Sequence, residues 1–271
     1  MQSLELGSFQ KTLLLPLWGR AVESRKPHPL LLDPTATQII DTLGYDFSTI
    51  AQNISPISQL CWIARSLHTD RTVRDFLDWR PDATIVNLGC GLDTTFERVD
   101  NGRLRWFDLD LPDVIALRRE FIQEGGRRRF LACSLLDPNW LKELGKPEAL
   151  LFVAMGVLYY LRESDLRAFL FRLANTFASC ELLFDACSNL GLKTANKKVI
   201  KGGGMDESAV LRWPLGRPQD LESWDNRIKV LAAYPMFRNM KRGLSLKEKW
   251  GTFLSDRLKI MSMVHLRLAS S

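Results

Sequence analysis

The first third of the chain has the hydrophobic pattern of amphipathic helices. Between residues 11 and 78, apolar side chains recur at spacings of three and four. One such buried helix face comprises Ile57, Leu60, Cys61, Ala64 and Leu67. Pro81 and Asp82 then interrupt the pattern. We therefore expect residues 1–80 to form a helical cap region.

After this interruption, short apolar runs alternate with helix-like segments. Five runs predict strands, at residues 84–88, 104–109, 129–133, 150–154 and 180–185. Two segments between them, 113–124 and 164–177, have helical periodicity. Such alternation is typical of βαβ units around a parallel sheet. Several runs lack a period of two, which indicates strands covered by helices on both faces.

The last part of the chain follows a different pattern. Residues 189–224 are rich in lysine, glycine and aspartate, and strand character returns only at 228–233 and 261–268. We interpret 189–224 as a lid insertion and the last strand as an antiparallel strand at the sheet edge. The prediction is an α/β fold in which residues 81–271 form a Rossmann-like domain around a mostly parallel, seven-stranded sheet.

The composition and the length of the apolar runs indicate the class of protein and its location. With 46% hydrophobic and 25% charged residues among 271, the chain has enough apolar material for a globular core. Its longest nearly uncharged apolar run, residues 149–161, is shorter than the about 20 residues of a membrane span. No secretory signal is readable at the amino terminus. We expect a cytoplasmic protein without a membrane partner.

Charge and metal-ligating residues limit the partners further. The net charge of +6 comes from 37 basic and 31 acidic residues that are not concentrated on one element. This distribution disfavours a nucleic-acid partner and is compatible with a small anionic substrate. The five cysteines and three histidines have no metal-ligand spacing, so we expect no metal site.

The strongest local motif is a predicted strand that runs into a Gly-x-Gly turn at Gly89 and Gly91. Glycines there allow a tight turn and a close approach of the backbone to a ligand. Thr94 stands where a dinucleotide fingerprint has a third small residue, which favours a nucleoside without a pyrophosphate. Asp108 and Asp110 end the next strand about 20 residues later, where a carboxylate can bind ribose hydroxyls. A lone Gly-x-Gly is more often only a turn, and either aspartate alone could equally be a solvated strand-end charge. Together, the glycine turn and the acidic strand end favour nucleoside binding.

Longer segments resemble a known family. VNLGCGLDTTFERVDNG, WFDLDLPDVIALRREF, SLLDPNWL and VAMGVLYYL, in this order and spacing, are similar to the leucine carboxyl methyltransferase family. The match is to its bacterial branch, which resembles the polyketide carboxyl O-methyltransferases. It extends over about residues 11–224. The resemblance implies a class I methyltransferase that uses S-adenosyl-L-methionine.

The resemblance also implies a set of cofactor-binding residues: Lys11, Arg65, Gly89, Cys90, Gly91, Asp110, Leu111, Ser134, Leu135 and Met155. Lys11 and Arg65 would bind the methionyl carboxylate, and Asp110 would bind the ribose hydroxyls. Ser134 and Leu135 would contact adenine. Many relatives have glutamate where this chain has Met155, and a thioether cannot accept a hydrogen bond from the cofactor amine as a carboxylate does. The sequence therefore leaves open a homologue of altered specificity or without turnover.

The implied reaction is an in-line displacement from the sulfonium to the carboxylate of a small, polyketide-like acid. Such an acid is already ionised at neutral pH, so we expect no catalytic base. Catalysis would rest on positioning and on the exclusion of water. We expect the acceptor pocket between the helical cap and the lid. Tyr160, Trp18 and Trp213 are the candidate substrate-binding residues, with Trp224 beside them, although each aromatic could equally be part of the core.

An oxidoreductase that uses a nicotinamide cofactor is the rival interpretation, because it would share the strand, the glycine turn and the acidic strand end. Thr94 and the lack of an evident Tyr-x-x-x-Lys pair disfavour it. The sequence determines neither the acceptor nor the oligomeric state.

Overall fold

The structure, a computed structural model, describes residues 8–197, 210–240 and 243–269, without the side chains of residues 8–12, 49, 50 and 53. Four helices precede the sheet: α1 (Ser8–Ser24), α2 (Pro34–Leu43), α3 (Ser48–Asn53) and α4 (Pro56–Trp79). Both α2 and α4 begin with proline after a capping residue. The side chains of Asp33 and Ser55 accept hydrogen bonds from the amides of the first turn.

Seven strands form the sheet: β1 (Thr84–Leu88), β2 (Arg105–Asp110), β3 (Arg128–Ala132), β4 (Leu150–Ala154), β5 (Ser179–Cys187), β6 (Ile228–Pro235) and β7 (Met261–Ala269). Their order is β3-β2-β1-β4-β5-β7-β6, and β7 pairs antiparallel with both β5 and β6. The predicted mostly parallel, seven-stranded sheet is confirmed. The prediction that the last strand lies at the sheet edge is wrong, because β6 pairs with the outer side of β7 and is itself the edge strand. The strand order reverses between β1 and β4, where ligands bind in open α/β sheets.

Five further helices connect the strands: α5 (Thr95–Val99), α6 (Pro112–Arg119), α7 (Glu163–Thr176), α8 (Asn189–Ala195) and α9 (Leu246–Arg257). Within the predicted lid, α8 and a short 3-10 helix (Pro218–Ser223) are described, whereas residues 198–209 lie outside the described ranges. The division into cap, nucleotide-binding domain and lid stays a prediction. No helix in the described part of the chain has the length and apolar character needed to cross a membrane.

The central strands are buried on both faces, as their uninterrupted apolar runs predict. Alternate side chains belong to different core clusters: Phe152 and Leu182 pack with α7. Leu151 and Leu183 pack with α4 on the opposite face. Helices therefore cover both faces, and polar side chains reach a binding site only where the strands end.

A buried ionic network joins the helical cap to the sheet. Asp33 is fully buried, and its carboxylate accepts hydrogen bonds from Arg20 Nε at 2.9 Å and Arg98 Nη1 at 2.8 Å. Arg98 also forms two hydrogen bonds, of 2.8 and 2.9 Å, with the carboxylate of Asp70 on α4. The network thus connects α1, α2 and α4 to α5, which directly follows the glycine turn.

We predict that Asp33→Ala lowers the free energy of unfolding by about 3 to 5 kcal/mol, because it leaves the buried Arg20 without its counterion and removes one of the two carboxylates that pair with Arg98. Urea unfolding followed by tryptophan fluorescence measures this change. The control is Asp41→Ala. Asp41 lies on α2, the helix that Asp33 caps, and forms an exposed ion pair with Arg25. We expect a change of about 0.5 kcal/mol or less for the control. Equal losses in the two variants would contradict the role of the network.

Candidate functional site

The glycine turn after β1 is packed too closely for other residues. Gly89 and Gly91 have positive φ angles of 60° and 47°, in the left-handed region that favours glycine. A Cβ atom on Gly89 would lie 2.3 Å from Val157 Cγ2, and one on Gly91 would lie 3.1 Å from Leu13 Cδ2. The turn is therefore enclosed by α1 on one side and by the loop after β4 on the other.

Two arginines hold the carbonyl groups of this turn. Arg118 on α6 is fully buried and donates to Gly91 O at 2.7 Å and to Asp93 O at 2.8 Å. Arg20 on α1 donates to Leu92 O at 2.9 Å. The turn's carbonyls thus point to the arginines. Sequence reasoning did not identify Arg118, although its spacing of four from Val114 places it on the buried face of α6.

Thr94 occupies the position where a dinucleotide fingerprint has its third glycine, and the structure gives it a different role. Its side chain is fully buried, its hydroxyl donates to Asp33 Oδ2, and it accepts from Arg98 Nη1 at 2.8 Å. The residue therefore anchors the helical cap to the glycine turn. A glycine at this position would lose both hydrogen bonds.

Asp110 lies at the carboxyl end of β2, directly beside the glycine turn. Its Oδ2 accepts from the Gly91 amide and its Oδ1 from the Leu111 amide, both at 2.8 Å. Burial raises the pKa of the Asp110 carboxyl group, and the two amide hydrogen bonds counteract this effect. A carboxylate has about four acceptor positions, so it retains capacity for two ligand hydroxyls.

Asp108, two residues earlier on β2, has a different environment. It is fully buried, and its carboxylate accepts from Trp106 Nε1 at 2.9 Å and Arg128 Nε at 2.7 Å. Arg118 Nη2 lies 3.1 Å from the same carboxylate. The interpretation of either aspartate as a solvated strand-end charge is wrong, because Asp108 is 0% and Asp110 only 9% exposed. Asp108 belongs to the core, and only Asp110 lies at the edge of the sheet.

Arg65 on α4 reaches the ends of β4 and β5. Its Nη2 donates to Asp185 Oδ2 at 2.7 Å and to the Tyr159 hydroxyl at 3.3 Å. Asp185 is fully buried and also accepts from the Gly156 amide at 2.6 Å. The Arg65 side chain is only 13% exposed, so it is not a free charge on the helix surface. Its Nε is buried without a hydrogen-bond partner in the described structure, so a donor remains for an anionic ligand.

The remaining predicted cofactor residues have different environments. Ser134 and Leu135 lie just after β3. Between them and the strand, the backbone amide of Cys133 donates to Asp110 O at 2.9 Å. Leu111 is 40% exposed beside Asp110. These positions share one edge of the sheet with the glycine turn.

Cys90 and Met155 are more closely associated with the core. Cys90 is buried in a cluster with residues of α1 and α2, and Met155 is half-buried against the cluster of α4. Lys11 is part of α1, but its side chain lies outside the described residues.

The three candidate substrate-binding residues do not line one common surface. Trp18 packs in the cluster of α1 and α2, whereas Trp213 is 4% exposed and packs in the main core against Phe184 and Trp224. Tyr160 is half-buried, with its ring 5.0 Å from that of Tyr159. Both Tyr160 and Trp213 lie beside Tyr159, which contacts Arg65, because the Trp213 amide donates to Tyr159 O at 3.1 Å.

A large cavity of about 1290 Å³ lies elsewhere, between the second half of α4 and the sheet. His68, Trp79, Glu148 and Ser179 are among its lining residues. Glu148 and Ser179 are at the amino ends of β4 and β5, opposite the edge with the glycine turn. Ligands of open α/β sheets bind at the carboxyl ends, so this cavity is not the cofactor site.

The chain is similar to proteins of known class. A family model described as leucine carboxyl methyltransferase matches residues 14–174. The tetracenomycin polyketide synthesis O-methyltransferase TcmP of Streptomyces glaucescens is 33% identical over 224 residues, which are 82% of this chain and 81% of that protein. The S-adenosyl-L-methionine-dependent methyltransferase dpfgK of Gibberella zeae is 29% identical over 80% of this chain and 79% of its own length.

Solved structures show the same fold. A DUF574-family protein from Streptomyces avermitilis has a TM-score of 0.58 at 12% identity, over 93% of this chain and 97% of that chain. The plantazolicin methyltransferase BpumL has a TM-score of 0.51 at 11% identity, over 97% and 100% of the two chains. At these identities the comparison supports the fold alone.

We predict that Asp110→Asn and Asp108→Asn have separate effects. Asp110→Asn lowers the affinity for S-adenosyl-L-homocysteine about tenfold or more, because a charge-assisted hydrogen bond is worth roughly 1.5–3 kcal/mol. Asp108→Asn instead lowers the free energy of unfolding by about 3 to 5 kcal/mol, since the buried Arg118 loses its counterion and Arg128 keeps only Glu97. Calorimetry and urea titration of both variants measure the two effects. Similar small changes in affinity and in unfolding free energy for both variants would mean that the ribose does not bind at Asp110.

The affinity should also depend on pH through Asp110. The carboxylate accepts ribose hydroxyls best when ionised, and its pKa is raised by burial. Affinity should therefore fall as the pH decreases toward this raised pKa, at a higher pH than for an ordinary aspartate near 3.9. Calorimetry across mildly acidic pH measures the loss, and Asp110→Asn should remove this dependence. An unchanged pH dependence in the variant would contradict the assignment.

Arg65 allows a test that separates ligand binding from stability. Arg65→Ala leaves Asp185 as a buried unpaired carboxylate, so we expect a loss of about 3 to 5 kcal/mol in unfolding free energy together with weaker cofactor binding. The double variant Arg65→Ala/Asp185→Ala should regain much of the stability but not the affinity. Double-mutant analysis by urea titration and calorimetry measures both. Recovery of cofactor affinity in the double variant would show that Arg65 does not bind the cofactor.

Proposed function

Because the chain belongs to the leucine carboxyl methyltransferase family and is an S-adenosyl-L-methionine-dependent methyltransferase, we propose that it methylates the carboxylate of a small-molecule, polyketide-like acid. The predicted family, enzyme class and cofactor are confirmed. The acceptor and the in-line mechanism are the proposal. The similarity to TcmP, whose name describes an O-methyltransferase of polyketide synthesis, supports the acceptor class.

The observation that carries the proposed cofactor site is the Asp110 carboxylate beside the glycine turn. Its two oxygens are oriented by the Gly91 and Leu111 amides, and the remaining acceptor positions would bind the ribose hydroxyls. Arg65 would bind the methionyl carboxylate through donors not used by Asp185. The carboxyl ends of β2 and β4 would thus hold the two ends of the cofactor.

The chain's own residues would act by positioning. S-adenosyl-L-methionine supplies a methyl group on a sulfonium, and its acceptor must approach in line. The Arg65–Asp185 pair and the arginine-held glycine turn are buried, so they would fix the methionyl end with little reorganisation. Orientation of this kind can contribute roughly 7–11 kcal/mol toward lowering the barrier.

The protonation states near Arg65 favour an acceptor that is already ionised. Burial raises the pKa of the Tyr159 and Tyr160 hydroxyls, so both remain protonated at neutral pH and are poor bases. His68 lines the cavity at the opposite edge of the sheet, and so does His265. A phenol acceptor, with a pKa near 10, would require a base, whereas a carboxylate would not.

Met155 supports one alternative, a homologue that binds the cofactor without turnover. The Met155 side chain is half-buried against the α4 cluster, and the family resemblance implies a glutamate at this position in many relatives. In this alternative, S-adenosyl-L-homocysteine binds tightly and no acid in a broad panel is methylated.

We predict methyl transfer from labelled S-adenosyl-L-methionine to aromatic, polyketide-like carboxylic acids. The product should be a methyl ester that releases methanol in mild base, and the matched primary amide of the same acid should not react. Mass spectrometry before and after base treatment distinguishes the ester from a base-stable ether. A phenol ether as the product, or transfer to the amide, would contradict the proposed acceptor.

A further inference from the structure

Helix α9 exposes a group of large apolar side chains to solvent, with Lys247 and Arg257 at the same helical spacing among them. Five of the ten exposed large hydrophobic side chains in the described part of the chain belong to this helix and the residue after it: Leu246 (79%), Trp250 (72%), Phe253 (59%), Leu254 (55%) and Leu258 (47%). The spacings of three and four place them on one side. Exposed apolar patches of this concentration mark interaction sites in soluble proteins. We refer to these five side chains as the outward face of α9.

The exposed charges beside the outward face are positive. Lys247, Lys249, Arg257 and Lys259 are exposed, and none of them forms an ion pair with a described residue. The two carboxylates of the helix are less exposed and hydrogen-bonded: Glu248 accepts from Ser245 in the N-cap of the helix, and Asp256 accepts from the Phe237 amide. A partner of this surface must therefore offer an apolar environment together with negative charge.

We propose that the outward face of α9 binds an anionic phospholipid surface. Tryptophan, phenylalanine and leucine on one side of a helix with flanking lysine and arginine are typical of helices that lie in the membrane interface. Trp250 has the amphipathic ring that is enriched at this depth. The flanking lysines can extend to the lipid headgroups while their stems remain beside the apolar side chains.

The same features disfavour two other occupants. In an antiparallel pairing of two α9 helices, Lys247 and Arg257 of the two copies would oppose each other, which is destabilising. A protein partner fits less well because lysine is depleted at protein–protein interfaces, and three of the four flanking cations are lysines. A helix surface is also convex, and a fluid lipid surface accommodates it without a matched groove.

The location of α9 gives this contact an orientation. The helix follows β6 and precedes β7, whose first residue, Met261, pairs with Cys187 at the carboxyl end of β5. It therefore lies on the same edge of the sheet as the glycine turn and Arg65, so the bound enzyme would present its cofactor edge to the lipid. The expectation of no membrane partner rests on the lack of a run long enough to span a bilayer, and a helix that lies on the lipid surface needs no such run.

Vesicle flotation of the full chain tests the inference. Wild-type protein should float with vesicles of phosphatidylcholine and phosphatidylglycerol, less at high salt, and much less with phosphatidylcholine alone. Trp250→Ala/Phe253→Ala should weaken binding about tenfold or more, because two apolar anchors are lost. Lys247→Glu/Lys249→Glu should remove the preference for the anionic vesicles.

The matched control is Trp79→Ala, since Trp79 is 82% exposed at the end of α4, outside the outward face. It should bind vesicles as wild type does. Equal binding by all variants, no binding by wild type, or a dimer lost only in Trp250→Ala/Phe253→Ala would overturn the inference. Cofactor binding without lipid, measured by calorimetry, shows that each variant is folded and keeps this test independent of methyl transfer.

Discussion

The structure depends on the neutralisation of a carboxylate that β2 places in the interior. Asp108 is fully buried, and Arg118 and Arg128 approach its Oδ2 to 3.1 and 2.7 Å. A buried carboxylate without such partners is strongly destabilising. Arg118 also holds the carbonyl groups of Gly91 and Asp93. One side chain therefore balances the charge in the core and shapes the turn at the cofactor edge.

A second buried network connects the amino-terminal helices to the same turn. Asp33 accepts hydrogen bonds from Arg20, Arg98 and Thr94, and Arg20 also donates to the carbonyl of Leu92. Thr94, at the third position of a dinucleotide fingerprint, thus connects the turn to the amino-terminal helices through Asp33. The cap and the turn are expected to move as one unit, which suits a reaction that depends on positioning.

The proposed methyl transfer and the proposed lipid contact use the same edge of the sheet for different reasons. At the strand ends, backbone amides and buried ion pairs are oriented by the fold, as at Asp110 and Arg65. On the outward face of α9, by contrast, the apolar side chains are exposed, and the cations among them form no ion pair with a described residue. A lipophilic acid would meet both surfaces, with its carboxylate at the interface and its apolar part in the lipid.

Much of the fold follows from local sequence patterns. The apolar runs at 84–88 and 150–154 predicted β1 and β4 with the bounds that the structure has, and β1 ends at the glycine turn. The glycine turn and an acidic strand end were also predictable, because both depend on backbone conformation and strand position. The resemblance to the family then supplied the cofactor and the candidate residues.

Tertiary structure decided which charges belong to the core. Asp108 and Asp110 share one face of β2, so periodicity cannot separate them. Asp108 pairs in register with Asn87 and Phe130, within reach of the buried arginines, whereas Asp110 ends the strand beside the glycine turn. Arg65 resembles a surface helix charge until the fold brings Asp185 to it from 120 residues away. Local sequence determines which residues can form strands, helices and turns, but the burial and pairing of a charge depend on elements distant in the chain.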